Sequence, residues 1–260
     1  MKKRWLILAA GYGIRWGDKF GIPKHLVDVG GEQLLSRTIR QLKELGERDI
    51  YLVSRDYVFP GVNIYVPRLD PENKEADKFL SSIDLWRNTK KDFIFLYGDV
   101  YFTDSAIEKI AGTRVKDWAL FARFGESEIT GKQHGECFAF RFTPMMKLKL
   151  ERTLLHLVDM RKDSQISRNG GWELYSMLEG FLPMERKRGS HLIEIDDFTE
   201  DFDFPEDYER WARRIGIWKE EEKKERKTSQ QGKGTGRRKK SQAQSSQTSG
   251  RGREGSQKQE

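Results

Sequence analysis

The sequence has 260 residues, of which 36% are hydrophobic and 34% are charged. This length and composition suit one α/β domain and leave too little chain for two full domains. No apolar run approaches the roughly 18 to 20 residues of a membrane helix, and the apolar run at residues 5–10 is too short for a signal peptide. Cys137 is the only cysteine, which excludes an internal disulfide and a cysteine-rich zinc site. We expect a cytoplasmic protein without a membrane segment.

The net charge of +7 comes from the C-terminal region. Residues 227–260 contain nine Lys or Arg and two Glu, so residues 1–226 are neutral by formal count. From Lys219 to Glu260 there is no aromatic residue, and such a segment buries too little apolar surface to offset the entropy of ordering. The sequence predicts a folded domain over residues 1–218 and a basic, disordered tail over residues 219–260, with at most weak polyanion binding by the tail.

Upstream of the tail, short apolar runs alternate with segments of helical periodicity. The predicted strands are residues 4–10, 49–53, 62–66, 93–97, 118–123, 136–142 and 191–195. The predicted helices are residues 34–45, 74–87, 103–111, 143–157, 172–178 and 205–215. Because the strands are continuously apolar, we expect both of their faces to be buried. The pattern predicts an α/β fold in which helices cover a mostly parallel sheet.

The first strand runs into a glycine-rich segment. It comprises Leu8, Ala9, Ala10, Gly11, Tyr12, Gly13, Ile14, Arg15, Trp16 and Gly17, and is followed by Pro23 and Lys24. Glycine lacks Cβ, so backbone N–H groups there can approach an anionic ligand closely. The segment is neither a Walker loop nor a dinucleotide fingerprint, because it lacks Gly-Lys-Ser/Thr and a correctly spaced third glycine. The flanking cations Arg15 and Lys24 indicate a polyphosphate ligand.

Carboxylates follow two other predicted elements. Asp99 comes directly after the apolar run 93–97, at the edge where open α/β sheets bind ligands and where hard oxygen ligands suit Mg²⁺. The alternative, that Asp99 caps the next helix, is weaker because Thr103 can do so. Residues 203–208 read Asp-Phe-Pro-Glu-Asp-Tyr, a pattern typical of a helix start.

In their order along the chain, these three segments resemble the signature of the nucleotide-diphospho-sugar transferase superfamily. Residues 8–45, with Leu-Ala-Ala-Gly-x-Gly-x-Arg and then Pro-Lys-His-Leu-Val-Asp-Val-Gly-Gly, are similar to the MobA-like and sugar-phosphate nucleotidyltransferases. The Gly-Asp at 98–99 and the Asp-x-Pro-Glu-Asp at 203–207 extend the resemblance over residues 8–208. The resemblance implies a GT-A-like, three-layer α/β fold with a mostly parallel mixed sheet.

The resemblance also implies roles for individual residues. The NTP triphosphate would be bound by Leu8, Ala9, Ala10, Gly11, Gly13, Arg15 and Lys24. Arg15 and Lys24 would be catalytic, because they would stabilise the transition state and the pyrophosphate leaving group. Mg²⁺ would be held by Asp99 and Asp203. Asp196, Asp197 and Asp201 are nearby competitors that spacing alone does not exclude, although Asp201 falls two residues before the ligand position and is expected to lie off the metal.

Other residues fall where members of this family bind the nucleobase and the acceptor. Ser81 and Ser82 would contact the nucleobase, and a polar helix start explains them equally well. The acceptor half is expected to include Arg123, Lys132, Glu136 and Trp172. Arg123 and Lys132 would meet an acceptor phosphate, and Trp172 would stack on a sugar or a quaternary ammonium unless it belongs to the core.

The leading hypothesis is an Mg²⁺-dependent nucleotidyltransferase that uses an NTP and a phosphorylated small acceptor, such as a sugar phosphate. One alternative is a metal-dependent glycosyltransferase of similar fold, although such enzymes typically have Asp-x-Asp where this chain has Asp99-Val100-Tyr101. Another is a nucleic-acid-associated protein that acts through the basic tail. These patterns leave the nucleobase, the acceptor and the oligomeric state open.

Truncation after Trp218 should leave folding and activity nearly unchanged, because the removed segment has too little apolar surface to belong to a core. The melting temperature and the turnover rate of the truncated and full-length chains give the test. A fall in melting temperature of roughly ten degrees, equivalent to several kcal/mol for a domain of this size, would contradict the predicted domain boundary.

Overall fold

A computed structural model describes residues 2–11, 13–56, 58–67 and 79–217. The predicted tail, the boundary at residue 218 and the first part of the predicted helix 74–87 lie outside these residues. Among the helices that are described, none is both long enough and apolar enough to cross a membrane.

The described residues form nine strands, six α-helices and three short 3₁₀ helices. The strands are β1 (Lys3–Leu8), β2 (Ile50–Val53), β3 (Asn63–Tyr65), β4 (Asp92–Tyr97), β5 (Val100–Tyr101), β6 (Trp118–Arg123), β7 (Glu136–Phe142), β8 (Leu192–Glu194) and β9 (Glu200–Asp201). The α-helices are α1 (Leu34–Glu44), α2 (Ile83–Trp86), α3 (Asp104–Gly112), α4 (Lys147–Lys162), α5 (Gly171–Glu179) and α6 (Pro205–Ile215). The 3₁₀ helices are Lys24–Leu26, Leu80–Ser82 and Pro144–Met146.

Seven strands form one mixed sheet in the order β3-β2-β1-β4-β7-β6-β8. Neighbouring strands are parallel except at β7, which is antiparallel to both β4 and β6. Every residue of β4 and of β6 is buried, so both faces of the sheet centre are covered. The predicted α/β fold with a mostly parallel, mixed sheet is confirmed.

A row of aromatic rings packs on one face of the sheet centre. Phe93 and Phe95 of β4 pair in register with Phe142 and Phe140 of β7, and Trp86 of α2 stacks on Phe93 with ring centroids 5.7 Å apart. Large buried rings contribute much of the hydrophobic stabilisation of a core. This row therefore fixes β4 in the sheet, and with it the residues that follow β4.

Many predicted boundaries agree with the structure. The strands 118–123 and 136–142 and the helix 205–215 have the predicted bounds. The predicted helix 143–157 begins as a 3₁₀ turn and continues as α4 to Lys162, because the Met, Arg and Lys beyond its apolar stripe are good helix formers. Within the described part of the predicted helix 74–87, only Ile83–Trp86 is α-helical.

A second, two-stranded sheet was not predicted, because its strands are too short to show a pattern. β5 and β9 pair antiparallel, with Val100 opposite Asp201. Asp197, a nearby alternative for the metal ligand, instead supports this junction, where its carboxylate accepts hydrogen bonds from Ser105 Oγ at 2.9 Å and Thr199 N at 2.8 Å. Thr103 Oγ1 also donates to it and caps α3 by accepting from the backbone of residue 106. The junction joins the chain after β8 to the chain after β4.

Asp197→Asn should reduce stability in a pH-dependent way. Burial raises the pKa of Asp197, but hydrogen bonds from Thr103, Thr199 and Ser105 outweigh burial and the net shift is downward. A carboxylate with a lowered folded-state pKa stabilises the fold above its unfolded pKa of about 4, and this contribution is lost as the pH falls through the folded pKa. Urea unfolding should show a loss of about 1 kcal/mol at pH 7 and a smaller loss at pH 3.

The exposed neighbour Asp196 supplies the matched control, since Asp196→Asn should change the free energy of unfolding little at either pH. An Asp197→Asn penalty of equal size at pH 3 and pH 7 would show that the charge of Asp197 plays no part.

Candidate active site

The candidate site lies at the carboxyl edge of the sheet, where β1 and β4 run side by side. Leu8 and Tyr97 are paired in register, and Gly98 N donates to Leu8 O at 3.0 Å. A Cβ atom on residue 98 would lie 2.8 Å from Leu8 O and 3.0 Å from Ala9 Cβ. This close approach requires glycine, and it places Asp99 directly beside the loop that follows β1.

Three carboxylates converge at this edge. The pairing of β5 with β9 brings Asp201 alongside β5, and Phe202 N donates to Asp99 O at 3.0 Å. Carboxylate oxygens of Asp99, Asp201 and Asp203 lie within 4.8 Å of one another. Because side chains alternate along an extended chain, Asp201 and Asp203 share one side, whereas Glu200 faces the other. The structure thus brings together the two predicted metal ligands.

Asp201 lies in this cluster, whereas the motif alignment led to the expectation that its side chain would lie away from the two metal ligands. That expectation overlooked the alternation of extended residues, which places positions 201 and 203 on the same side. Asp201 Oδ1 is buried and has no hydrogen-bond partner among the described residues. Burial, and then repulsion from Asp99 and Asp203, raises the pKa of Asp201 well above its usual value. Asp201 is the principal site residue that the sequence interpretation set aside.

Lys24 is the buried cation of the site. Pro23 precedes it in extended conformation, and Lys24 then begins a 3₁₀ turn that directs its side chain inward. Its ammonium pairs with Asp99 and lies 3.9 Å from Asp203 Oδ1. Burial lowers the pKa of Lys24, but attraction to Asp99, Asp201 and Asp203 outweighs burial and raises it overall. Lys24 therefore remains charged at neutral pH.

Arg15 is the more accessible cation. Arg15 Nη1 lies 2.7 Å from Asp203 Oδ2, and its side chain is 54% exposed. Its guanidinium also lies 5.6 Å from the centre of the Phe204 ring. Both predicted catalytic cations therefore contact the carboxylate cluster, one from inside and the other from the solvent side.

The signature loop, defined here as residues 13–22, packs on α6. Trp16 is buried, and its ring centroid lies 6.3 Å from that of Tyr208. Lys19 Nζ lies 2.9 Å from Glu206 Oε1 and 2.7 Å from Glu209 Oε1. These contacts hold the loop close to the carboxylates.

The start of this loop lines a cleft beside Lys24. The predicted nucleotide-binding backbone extends from the buried end of β1 into this loop: Leu8, Ala9, Ala10, Gly11 and Gly13. Gly13 and Gly17 have φ values of 61° and 60°, which residues with a Cβ rarely adopt. With Arg55 after β2, the loop encloses about 470 Å³, within the usual size range of small-molecule sites. Arg55 was not predicted, although its place after a predicted strand pointed to the same sheet edge.

The donor set of the site fits a divalent cation. Five carboxylates lie around three cations: Asp99, Glu136, Asp201, Asp203 and Asp207 around Arg15, Lys24 and Lys132. The ligand atoms are hard oxygens of the kind that Mg²⁺ prefers. The buried Oδ1 of Asp201 without a partner also needs a cation or a proton.

The structure contradicts the expected acceptor role of Arg123. Its guanidinium is buried and lies 2.9 Å from Glu200 Oε2, which also accepts from Ser127 Oγ at 2.6 Å. Arg123 donates further hydrogen bonds to the backbone oxygens of Asp197 and Thr199. Its donors are directed at the β9 segment, so Arg123 secures the fold instead of facing an acceptor phosphate.

Lys132 and Glu136 also face inward. Lys132 Nζ lies 3.1 Å from Glu136 Oε1 and donates to Asp201 O at 2.8 Å. Burial raises the pKa of Glu136 to about 7, although Lys132 opposes this shift. The expected contact between Lys132 and an acceptor phosphate is not favoured by this geometry, whereas Glu136 does lie beside the carboxylate cluster.

Trp172 was expected either to stack on a ligand or to belong to the core, and the structure places it in the core. Its ring is 8% exposed, and its Nε1 donates to Gly135 O at 2.8 Å. The Arg186 guanidinium lies 5.5 Å from the ring centre. The indole is therefore not open for stacking on a sugar or a quaternary ammonium.

Ser82, one of the two predicted nucleobase contacts, already uses its hydroxyl within the fold. It is fully buried, and its Oγ donates to Phe79 O at 3.0 Å. Ser81 is partly exposed in the same 3₁₀ turn.

Burial raises the pKa of Cys137 well above its usual value, so the thiol stays protonated at neutral pH and is unsuited to nucleophilic chemistry.

A mixed, mostly parallel sheet with a glycine-rich loop and a carboxylate cluster at its carboxyl edge is the arrangement that the resemblance to nucleotidyltransferases implied. Residues 5–141 match the model of the MobA-like NTP transferase domain. The chain belongs to this family, as the resemblance of its motifs implied.

Similarity to individual proteins supports the same fold. The CTP:phosphocholine cytidylyltransferase LicC of Streptococcus pneumoniae is 16% identical with a TM-score of 0.54, covering 83% of this chain and 100% of that chain. The UDP-glucose pyrophosphorylase of Acinetobacter baumanii is 13% identical with a TM-score of 0.51, covering 82% and 93%. A bifunctional IPC transferase and DIPP synthase of Thermococcus kodakarensis is 41% identical over 66 residues, which span 25% of this chain and 15% of that protein.

Asp99→Asn and Asp201→Asn should have opposite effects on the stability of the metal-free protein. Asp99→Asn removes the close partner of the buried Lys24 and should cost on the order of 3 kcal/mol. Asp201→Asn replaces one of three crowded carboxylates by a neutral amide and should raise the melting temperature by about 2 to 4 °C, which corresponds to about 1 kcal/mol. Thermal unfolding in EDTA at pH 7 measures both effects, and destabilisation by both substitutions would contradict this account of the cluster.

Proposed function

We propose that this protein transfers a nucleoside monophosphate from an NTP to a phosphorylated small acceptor and releases pyrophosphate. The observation that carries the proposal is the convergence of Lys24 and Arg15 on the carboxylates of Asp99 and Asp203, beside a cleft lined by the signature loop. Cations positioned beside an oxygen-rich cation site are the arrangement that phosphoryl transfer requires.

In the proposed reaction, an oxygen of the acceptor phosphate forms a bond to the α-phosphorus of the NTP. The bond between the α-phosphorus and the bridging oxygen breaks, and pyrophosphate leaves with the electron pair. The acceptor phosphate is already anionic at neutral pH, so no side chain has to remove a proton from it. This is consistent with a site that is built from Lys, Arg and Asp.

The two cations have different parts in this reaction. Lys24 is buried and held by Asp99, so it presents a fixed positive charge to the phosphates. Arg15 is more exposed and lies on a loop of glycine-dependent conformation, so it can exchange Asp203 for the NTP triphosphate. Both charges would offset the negative charge that grows on the leaving group in the transition state.

The cofactor in this proposal is Mg²⁺, and Asp99 and Asp203 would hold it, with Asp201 as a third available carboxylate. When bound, it would neutralise phosphate charge and help to orient the NTP. Mg²⁺ keeps several of its waters and usually takes only one or two protein carboxylates. Three carboxylates within 4.8 Å therefore supply enough ligands for the ion together with the NTP.

A phosphorylated acceptor is supported by the name of one relative. LicC is a CTP:phosphocholine cytidylyltransferase, and phosphocholine is a phosphorylated small molecule. For this chain we propose a sugar phosphate or a similar phosphorylated small molecule, and a cytoplasmic location where NTPs are available. The family match favours this reaction over the glycosyltransferase alternative.

The direct test is pyrophosphate release. The protein is incubated with Mg²⁺, with each of the four NTPs in turn and with a set of phosphorylated acceptors, and pyrophosphate is detected through pyrophosphatase. One NTP and one acceptor together should give stoichiometric pyrophosphate and a new nucleotide-linked product. A glycosyltransferase would give a nucleoside diphosphate from a nucleotide-sugar and no pyrophosphate.

Arg15→Ala and Lys24→Ala should each lower kcat/KM by about a hundredfold or more, because a charge that acts in the transition state contributes several kcal/mol. Lys91→Ala is the matched control, since Lys91 pairs with Asp49 and lies just before β4, at the opposite edge of the sheet. It should retain full activity. An effect of Arg15→Ala and Lys24→Ala on KM alone would mean that these residues only bind the NTP.

A further inference from the structure

The ammonium of Lys132 lies at the centre of a set of contacts that link three segments. Lys132 Nζ donates to Asp201 O at 2.8 Å, and it lies 3.1 Å from Glu136 Oε1 and 3.1 Å from Asp207 Oδ2. The Lys132 side chain is 15% exposed. An ammonium has three N–H donors and no acceptor, so Lys132 can donate to Asp201 O and pair with the carboxylates of Glu136 and Asp207 at the same time.

Two of these contacts are made to residues 201–207, the segment that carries the carboxylates of Asp201 and Asp203. Asp201 O lies at its start, Asp207 lies in the first turn of α6, and Asp203 lies between them. Asp207 Oδ2 also accepts a hydrogen bond from Phe204 N at 2.9 Å. Lys132 therefore holds the segment at both ends, on either side of Asp203.

The third contact connects this segment to the main sheet. Glu136 is the first residue of β7, which pairs with both β4 and β6. On the opposite side of β9, Arg123 holds Glu200 at 2.9 Å. Arg123 and Lys132 thus fix β9 from opposite sides. Of these two cations, Lys132 is the one that also contacts Asp207, beyond Asp203.

We propose that Lys132 is a positioning residue that fixes the carboxylates of Asp201 and Asp203 for cation binding, and that it is not an acceptor ligand. The inference rests on the proposed function, because it assumes that these carboxylates bind a divalent cation with the NTP. Without the ammonium, the carboxylates of Glu136, Asp201 and Asp207 repel one another, and the segment between β9 and α6 shifts.

Cation affinity separates this role from a purely electrostatic one. Lys132→Met removes a positive charge close to the cluster, and by Coulomb's law alone this would strengthen the binding of a divalent cation. Loss of positioning should instead weaken binding. The two effects have opposite signs, so a single titration distinguishes them.

The probe is Mn²⁺, whose binding to the full-length protein is followed by electron paramagnetic resonance in the presence of an α,β-methylene NTP analogue. Analogues of all four NTPs are first tested with the wild-type protein, and the analogue that binds is then used for every variant. Lys132→Met should raise the Mn²⁺ dissociation constant at least tenfold. Lys91→Met, which removes an equivalent charge at the opposite sheet edge, should leave it unchanged. Unchanged or tighter Mn²⁺ binding by Lys132→Met would overturn the proposal.

Lys132→Arg is the second variant, and it keeps the charge if Lys132→Met fails to fold. A planar guanidinium cannot direct three donors from one nitrogen, so we expect Lys132→Arg to show the same weakening of Mn²⁺ binding. An acceptor ligand would behave differently, because arginine binds phosphate well. Wild-type Mn²⁺ affinity in Lys132→Arg would therefore overturn the proposal.

The wild-type titration tests the underlying function separately. If the wild-type protein binds no Mn²⁺ with any of the four analogues, the proposed function fails and this inference fails with it. If the wild-type protein binds Mn²⁺ and Lys132→Met binds it equally well, only the role of Lys132 is overturned.

Discussion

Mutual repulsion among three carboxylates is the constraint on which the rest of the site depends. Oxygens of Asp99, Asp201 and Asp203 lie within 4.8 Å of one another, and like charges at such distances strongly disfavour full ionisation. The chain offsets this cost with Lys24 inside the site, Arg15 on its solvent side and Lys132 behind it. Arg15 and Lys24 come from one N-terminal segment and Lys132 from the middle of the chain, far in sequence from Asp201 and Asp203, so the charge balance exists only in the folded state.

The fold supplies the rigidity that this balance needs. The aromatic row on β4 and β7 fixes the strand that leads to Asp99, and the close approach of Gly98 to Leu8 sets that strand against β1. The two-stranded sheet of β5 and β9 then carries the second and third carboxylates to the same place. Hydrophobic packing therefore positions groups that would otherwise move apart.

The sequence predicted the parts of this arrangement that depend on local pattern. Long apolar strands and helical periodicity are properties of neighbouring residues, and they predicted the fold class. The convergence of Arg15, Lys24, Asp99 and Asp203 was implied by the resemblance of the motifs to a known family. The two residues of β9 have no periodicity to detect. With β9 undetected, the motif alignment set Asp201 aside and its alternation with Asp203 was overlooked.

Partners that are far apart in the sequence and that no motif marks were beyond prediction. Arg123 and Lys132 were expected to meet an acceptor phosphate because they fall where the resembling family binds its acceptor, but each has its donors directed at carboxylates and carbonyl oxygens within the fold. Glu200 is 77 residues from Arg123, and no local pattern indicates that pairing. Their burial and their partners within the fold are visible only in the tertiary structure.

The distribution of the site along the chain has a consequence for biosynthesis. The region that matches the family model, residues 5–141, contains Lys24 and Asp99, whereas β9 and α6 follow it. Arg15 and Asp203 are 188 residues apart. Because a chain is synthesised from its N-terminus, a ribosome-bound intermediate that ends near residue 141 carries the signature loop without Asp201, Asp203 or the helix on which that loop packs. The site is therefore completed only after β9 and α6 have been synthesised.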